Sequence, residues 1–197
     1  DKIISITSKY PCDYNSELTK LKLNAVVNKQ RKDFAGEIED WFLHQPITKH
    51  HQSFYNEYFD TFINQSLSSE TLRFIKLRMT VYNADYIQAY KILSSMMSIQ
   101  INLEEWLANL SPILLSDIGK IFLYGNTNYL YNAKICDTAK NIAKENGNNL
   151  NQFYLNFYSG RLYDKSTSAN IENALERFEN AILCATDAQK KDNALWY

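Results

Sequence analysis

The sequence predicts an all-α protein whose helices form antiparallel hairpins that stack into an α-solenoid. The first observation behind this is a scarcity of turn residues. The 197 residues include only 5 glycines and 3 prolines, and a many-stranded sheet needs more. The second is that apolar residues recur at helical spacing along most of the chain. The third is a set of small residues that repeats at intervals of 41 to 44 residues.

The chain could form one extended helical domain or two small ones, and we expect one continuous helical array in which residues 1–68 are an N-terminal helical region. Apolar residues recur at helical spacing from Ser16 to Gln45, and Pro46 ends this segment because proline cannot donate a backbone hydrogen bond. An aromatic stripe then suits the buried face of a further helix between Ile47 and Ser66. Its members are Phe54, Tyr55, Tyr58, Phe59, Phe62 and Ile63.

Residues 69–197 are predicted to contain three helical hairpins and the start of a fourth. In the first hairpin, Ser68 or Ser69 caps a helix that ends near Tyr82. A second helix resumes the periodicity after the turn at 83–85. Because so short a turn joins them, these two helices are expected to lie antiparallel.

The second hairpin has the clearest boundaries in the sequence. Ser111 offers a capping hydroxyl directly before Pro112, and proline suits the first position of a helix. This helix is expected to break at Gly125, and its partner to cover residues 129–145. Gly147 should close that partner, because glycine adopts the left-handed conformation that ends many helices.

A third hairpin and a truncated fourth complete the predicted array. The first helix of the third hairpin runs to Tyr163, and the second covers Ile171 to Thr186. A further helix is expected to open at Asp187 and to include Tyr197. Large apolar side chains near Tyr197 predict that the last repeat is truncated there.

Small residues align the three hairpins. Ala89, Ala133 and Ala174 each lie just inside a second helix, at separations of 44 and 41 residues. Gly119 and Gly160 precede Ala133 and Ala174 by the same fourteen residues. Helical repeats of this length stack into solenoids, and small side chains allow their helices to approach closely.

The last hairpin resembles the tetratricopeptide repeat. The repeat's pattern of Gly, Tyr, Ala, Phe and Ala is matched, with two additional residues in the turn, by Gly160, Tyr163, Ala174, Phe178 and Ala181. The second half of the pattern is also resembled by Tyr86, Ala89, Leu93 and Met96. Because the period exceeds the usual ~34 residues, the expected solenoid is tetratricopeptide-like.

Three segments are similar to the α-superhelical region that precedes the catalytic domain in soluble lytic murein transglycosylases. They are Arg78–Leu93, Leu-Ser-Asp-Ile-Gly-Lys at 115–120, and Asp-Asn-Ala-Leu-Trp-Tyr at 192–197. The resemblance covers residues 70–197. It implies a periplasmic, non-catalytic scaffold that positions an enzyme on peptidoglycan, or at a wall-spanning assembly such as a flagellum or secretion apparatus. The alternative is a free-standing adaptor that binds a protein partner.

No catalytic residue and no cofactor are predicted for this chain. Transglycosylases of that family carry a catalytic Glu-Ser pair and a Gly-Leu-Met-Gln stretch, because glycan cleavage needs a carboxyl that acts as acid and base. Neither motif occurs in the sequence. Glu70 precedes Thr71 at a predicted helix start, where an acidic residue is structural. Phosphate loops, nucleophile elbows and His-Glu-x-x-His motifs are also absent.

No metal site is predicted either. Adjacent histidines on a helix point about 100° apart, so a surface or interface role is expected for the cluster His44, His50, His51 and Glu57. The three cysteines are far apart and lack metal-ligand spacing. We therefore expect Cys12, Cys136 and Cys184 to act as small buried hydrophobic residues.

The charge balance argues against nucleic acid as a partner. Lys and Arg number 21 against 22 Asp and Glu, whereas binding to a phosphate backbone needs excess positive charge. A basic run between Lys20 and Lys32 is interpreted as a solvated helix face. No apolar run approaches the roughly 18 residues that a membrane-spanning helix requires, so no membrane span is predicted.

Tyrosines are the candidate binding residues. The chain contains 14 of them, and an aromatic body with a polar tip suits contacts with peptides or sugars. We expect a subset to line the concave side of the solenoid together with a nearby arginine. The predicted binding residues are Tyr124, Tyr154, Tyr158 and Arg161, and the predicted partner is a protein or peptidoglycan.

Overall fold

The described part of the chain is entirely helical. A computed structural model describes the backbone of residues 35–58 and 67–194, and the side chains of residues 36–58 and 67–185. All secondary-structure elements in these residues are helices and none is a strand, which confirms the predicted all-α class. The features predicted for residues 1–34 and 59–66 lie outside the described residues. They include Cys12, the basic run and the second half of the aromatic stripe.

The chain divides into two compact units after Tyr82. The first unit contains α1 (Ala35–His44), α2 (Lys49–Tyr58) and α3 (Ser69–Tyr82). The second contains α4 (Tyr86–Met97), α5 (Leu103–Ala108), α6 (Pro112–Tyr124), α7 (Tyr129–Glu145), α8 (Asn149–Ser166) and α9 (Ile171–Ala194), with a 3-10 turn at Ser168–Asn170. The boundary predicted after residue 68 lies one helix earlier than this division. The two helices of the first predicted hairpin, α3 and α4, therefore belong to different units.

A cluster of rings forms the core of the first unit. Trp41, Phe42 and Phe54 are fully buried, and the His51 ring stacks on Trp41 with 4.0 Å between centroids. The Thr48 N–H donates to Nδ1 of His51 at 3.2 Å, so the ring proton lies on Nε2, which donates to the Trp41 carbonyl at 3.0 Å. The surface or interface role predicted for the histidine cluster is wrong for His51, because its ring is fully buried in the core at the turn between α1 and α2.

Arg78 joins α3 to α1. Its side chain is buried, and its guanidinium donates hydrogen bonds to the Phe42 carbonyl and, at 2.9 Å, to the Gln45 carbonyl. These carbonyls lie at the C-terminal end of α1, where unsatisfied acceptors and the helix dipole favour a cation. Arg78 explains why α3 belongs to the first unit.

Helix α8 is the centre of the second unit. It packs against α6, α7 and α9, while α4 packs on α6 and α5 packs on α7. Helices α6 and α7 were predicted to pack on each other as a hairpin. This pairing is wrong, because each of them packs mainly on α8 and they make few contacts with each other. Helix α5 was not predicted from the sequence, and it packs on one side of α7.

Gly119 gives α6 its close approach to α8. A Cβ atom at this position would lie 2.2 Å from Cγ of Tyr158, so only glycine fits beneath the ring. The Tyr158 hydroxyl lies 3.2 Å from the Ser116 hydroxyl, and the Lys165 Nζ donates to the Leu123 carbonyl at 3.4 Å. These contacts follow the two helices in the same order, which means that α6 and α8 run parallel.

The third predicted hairpin is present as α8 and α9. A Cβ at Gly160 would lie 2.9 Å from the Phe178 ring and 3.2 Å from the Ala174 carbonyl, so the helices nearly touch there. Ala174 and Ala181 are both buried. The helix break predicted at Asp187 is wrong, because α9 continues to Ala194. No glycine or proline interrupts this stretch. A single Asp in a helix costs only about 0.5 kcal/mol relative to Ala, which is too little to break it.

Local helix boundaries agree with the sequence. The Ser111 hydroxyl accepts the Leu114 N–H before Pro112 begins α6. Gly147 has a φ of 69° and ends α7, and the Asn148 N–H bonds back to the Ala143 carbonyl at 2.9 Å. This is the bond pattern of a Schellman closure.

We expect Gly119→Ala to destabilise the second unit. The added methyl would collide with the root of the Tyr158 ring, which cannot move without disturbing the packing of α8. Overpacking of this kind costs about 1–3 kcal/mol. Urea unfolding should show the loss. Gly36→Ala is the matched control, because a Cβ there meets nothing within 4 Å and should leave stability equal or slightly higher. Equal stability of both variants would contradict the proposed close contact.

The first unit should lose stability on mild acidification. Burial lowers the pKa of His51 from 6.5 to about 4, although its hydrogen bond to the Trp41 carbonyl opposes the shift. The neutral ring therefore stabilises the fold fully above pH 6.5, and this contribution is lost as the pH falls from 6.5 towards 4. An NMR titration should show one of the 3 histidine rings staying neutral to about pH 4. That signal should vanish in His51→Gln and persist in His44→Gln. A His51 midpoint near 6.5 would refute the assignment.

Candidate functional site

Two of the predicted binding residues meet at the surface of the second unit. Tyr124 is the last residue of α6 and is 46% exposed, and Arg161 lies on α8. The Arg161 Nη2 donates to the Tyr124 hydroxyl at 3.3 Å. The structure therefore brings this pair together, as a ligand-binding role requires.

Lys165 joins the pair from one helical turn further along α8. Its Nζ lies 4.8 Å from the Tyr124 ring centroid and 5.7 Å from that of Tyr129. The Tyr86 ring lies 5.2 Å from the Tyr124 ring. We define the tyrosine face as Tyr86, Tyr124, Tyr129, Arg161 and Lys165. The rings of Tyr124 and Tyr129 hold Lys165 through cation–π attraction, worth about 0.5–1 kcal/mol each at exposed sites.

A groove adjoins the tyrosine face at Tyr129. It has a volume of about 410 Å³ and is lined by Thr127, Asn128, Tyr129, Leu130, Tyr131, Lys134, Ser166 and Thr167. Tyr131 is 59% exposed and Leu130 is 42% exposed. The lining combines aromatic and apolar surface with hydroxyl and amide groups, and it includes one cation and no carboxylate. Such a mixture suits a polar ligand that also carries flat apolar faces.

The other two predicted binding residues lie between helices. Tyr158 is only 7% exposed, and burial raises the pKa of its hydroxyl even though the bond from Ser116 opposes the rise. Tyr154 is half-buried, with its ring 5.1 Å from that of Phe153. It also lines a small internal cavity beside Tyr158. Packing of α8 explains both side chains, and neither belongs to the groove.

The predicted binding residues did not include several aromatic and cationic residues of this surface. These are Tyr86, Tyr129, Tyr131, Lys134 and Lys165. One available signal was the pair of tyrosines in the first turn of α7, directly after the break at Gly125. The spacing of Arg161 and Lys165, one turn apart on α8, was the other.

The densest polar cluster in the second unit surrounds Asp137. Arg177 donates to both carboxylate oxygens, with Nε at 2.7 Å and Nη2 at 3.1 Å. The Ser159 hydroxyl donates to Oδ1 at 2.7 Å, and the Tyr163 hydroxyl donates to Oδ2 at 2.9 Å. One carboxylate on α7 thereby binds two residues of α8 and one of α9. We call this arrangement the Asp137 clamp.

The Asp137 carboxylate is ionised, and both of its oxygens accept hydrogen bonds within the clamp. Burial pushes the pKa of Asp137 upwards, but the hydrogen bonds from Arg177, Ser159 and Tyr163 outweigh burial and hold it below its usual range. Burial and the neighbouring carboxylate raise the pKa of Tyr163 to about 12. The carboxylate stays ionised and its oxygens are occupied, so it is poorly placed to act as a general base. Its chemistry fits a structural role.

The described cysteines agree with their expected role in part. Cys136 is buried, and burial raises the pKa of its thiol well above the ordinary value. Cys184 is half-buried and, like Cys136, forms no disulfide. A protonated, enclosed thiol at Cys136 behaves as a small hydrophobe rather than a nucleophile.

Searches for metal sites and membrane spans found neither among the residues that the structure describes. No group of three or more His, Cys, Asp or Glu side chains is placed there to hold a metal ion. None of the helices in the same part of the chain is both long and apolar enough to cross a bilayer.

Comparisons with protein-family models, with curated proteins and with solved structures found no match for this chain. A function for this chain must therefore be inferred from the surface chemistry of the described residues. Within the second unit, the groove and the tyrosine face together form the candidate site.

We expect Asp137→Asn to destabilise the second unit by about 2–3 kcal/mol, since hydrogen bonds to charged groups contribute about 1.5–3 kcal/mol. The amide would keep the shape but deprive the largely buried Arg177 guanidinium of the Asp137 charge, and its remaining ion pair would be with Glu176, whose side chain is 59% exposed. Urea unfolding would measure the loss. Lys120→Gln is the control, because its side chain is 42% exposed and its ammonium lies 3.5 Å from Asp117, so the contribution of this ion pair should be about 0.5 kcal/mol or less. Equal effects of the two substitutions would show that the clamp is not structural.

Proposed function

We propose that this chain is a non-catalytic, tetratricopeptide-like helical scaffold that binds its ligand through the groove and the tyrosine face. The observation that carries the proposal is the groove itself, about 410 Å³ in volume and lined by the exposed Tyr131 and the half-buried Tyr129. Ligand sites are typically concave, apolar surfaces with a few placed polar groups. The polar groups in this lining are suited to hydrogen bonding and not to nucleophilic attack.

Packing in the second unit supports a tetratricopeptide-like arrangement. The three aligned alanines, Ala89, Ala133 and Ala174, are all buried. The first helices of two successive predicted repeats, α6 and α8, run parallel, as equivalent helices of a stacked array do. The close approach at Gly160 places a small residue where the repeat pattern has one. Because α6 and α7 make few contacts with each other, the proposed array diverges from the standard tetratricopeptide arrangement.

Peptidoglycan is the ligand that we propose first. The similarity of residues 70–197 to the superhelical region of lytic transglycosylases motivates this assignment, and it places the scaffold in the periplasm. The chemistry of the groove supports it, because tyrosine rings stack on sugar faces while hydroxyl and amide groups bond to sugar hydroxyls. In this role the chain would position a catalytic domain on the wall or at a wall-spanning assembly.

A free-standing protein adaptor is the second candidate, and α9 gives it specific support. Ile171, Leu175 and Ile182 recur at helical spacing on α9 and are 50 to 66% exposed. Exposed apolar stripes of this kind often contact other proteins. An adaptor should bind one protein and have no affinity for cell-wall material.

Co-sedimentation with purified peptidoglycan sacculi tests the first candidate. We expect the chain to pellet with sacculi in a saturable manner, and we expect Tyr131→Ala to weaken binding by about tenfold, the effect of losing one aromatic anchor. Leu150→Ala is the matched control. Leu150 is 45% exposed at the start of α8, about 24 Å along the helix from Ser166, so its loss should leave binding unchanged.

The outcomes separate the two candidates. Saturable binding that depends on Tyr131 and not on Leu150 supports the peptidoglycan scaffold. Absence of binding to sacculi, together with capture of a single protein partner that is lost on Leu175→Asp, supports the adaptor. Equal weakening by Tyr131→Ala and Leu150→Ala would show that the groove is not the binding surface.

A further inference from the structure

The groove and the tyrosine face bring together cations that have no carboxylate partner within 4 Å among the described residues. Among the described residues, the ion pairs within 4 Å join Lys120 to Asp117 and Arg177 to Asp137 and Glu176. None involves the three cations of this surface, which are Lys134, Arg161 and Lys165. This part of the described chain therefore keeps positive charge that a bound anion could neutralise.

Two of the three cations, Arg161 and Lys165, are held by neutral groups. Lys165 rests over the rings of Tyr124 and Tyr129 and donates to the Leu123 carbonyl. Arg161 bonds to the Tyr124 hydroxyl and lies 6.0 Å from the Phe157 ring centroid. Aromatic faces and neutral acceptors orient a cation while leaving its net charge intact. Both head groups therefore contribute a positive potential at the end of α8.

The acidic side chains next to these cations along the chain, Asp137 and Asp164, form no ion pair with them within the described residues. Asp137 follows Lys134 by one turn of α7, but its oxygens are bound by Arg177, Ser159 and Tyr163. Asp164 is exposed beside Lys165 in the sequence and forms no ion pair within the described residues. The groove lining itself contains Lys134 and no acidic residue. Charge complementarity therefore favours an anionic ligand over a neutral one.

We propose that the groove recognises the free carboxylates of peptidoglycan stem peptides, with Lys134 and Lys165 as their counter-ions and Tyr129 and Tyr131 as the platform beneath them. This inference rests on the proposed peptidoglycan function and names the part of the polymer that is bound. Glycan strands carry neutral sugar rings as well as peptides with carboxylates. Only the carboxylates match a cationic, acid-free lining.

The test compares two preparations of the same sacculi. One is left native, and in the other the free carboxylates are converted to methylamides with a carbodiimide and methylamine. We expect the full chain to bind amidated sacculi at least about tenfold more weakly than native sacculi, because each lost charge pair removes roughly a factor of ten. Because the ligand is altered and not the protein, the folding of variants does not affect this comparison.

Variants then locate the effect on the chain. Lys134→Gln and Lys165→Gln should each weaken binding to native sacculi by about fivefold to tenfold and leave the residual binding to amidated sacculi unchanged. Lys144→Gln is the matched control, since Lys144 is an exposed lysine on the same helix about 15 Å from Lys134. It should bind both preparations like the parent chain.

Each outcome decides a separate question. Equal binding to native and amidated sacculi would overturn the carboxylate inference and leave the peptidoglycan function standing on sugar contacts. Equal weakening by Lys134→Gln and Lys144→Gln would also overturn it, because the charge effect would then be non-local. Binding to neither preparation would overturn the peptidoglycan function, and this inference with it. Binding to an acidic protein segment in place of sacculi would favour the adaptor.

Discussion

The second unit depends on one carboxylate, that of Asp137, which connects three helices through the clamp. Ser159 and Tyr163 bind it from α8, and Arg177 binds it from α9. The groove begins one helical turn away, with Lys134 preceding Asp137 on α7 and Ser166 following Tyr163 on α8. Its two walls therefore keep their spacing because the clamp fixes these helices together. A shallow surface site can have a defined shape only when its walls are fixed in this way.

Local signals made much of the fold readable from the sequence, and non-local packing accounts for the errors. The cap at Ser111 and the closure at Gly147 involve residues within a few positions of each other, so the sequence contains everything that determines them. The partner of α6 is decided by Tyr158, 39 residues after Gly119, and no local pattern encodes that choice. Helix α5 has 6 residues, too few to show a period.

The same distinction explains how far the site could be predicted. Tyr154, Tyr158, Arg161 and Lys165 recur at helical spacing on α8, so the sequence treats them as one stripe. In the structure, α6 runs parallel to this stripe and covers Tyr158 at Gly119. It ends at Tyr124, so the remainder of the stripe emerges as Arg161 and Lys165. The position at which α6 ends beside α8 depends on tertiary packing. For this reason the sequence could not show which part of the stripe is buried and which part reaches the surface.

The net charge of −1 is a poor guide to what such a surface attracts. Potential near a protein is set by charges within about one Debye length, roughly 8 Å at physiological salt, and more distant charges are screened. An ion pair would hold Lys165 in place but would cancel its field. The rings of Tyr124 and Tyr129 and the carbonyl of Leu123 orient the same ammonium group at no cost in charge. In the proposed site, tyrosines around a cation would thus serve two functions, because they would provide apolar surface for a ligand and preserve the charge that selects it.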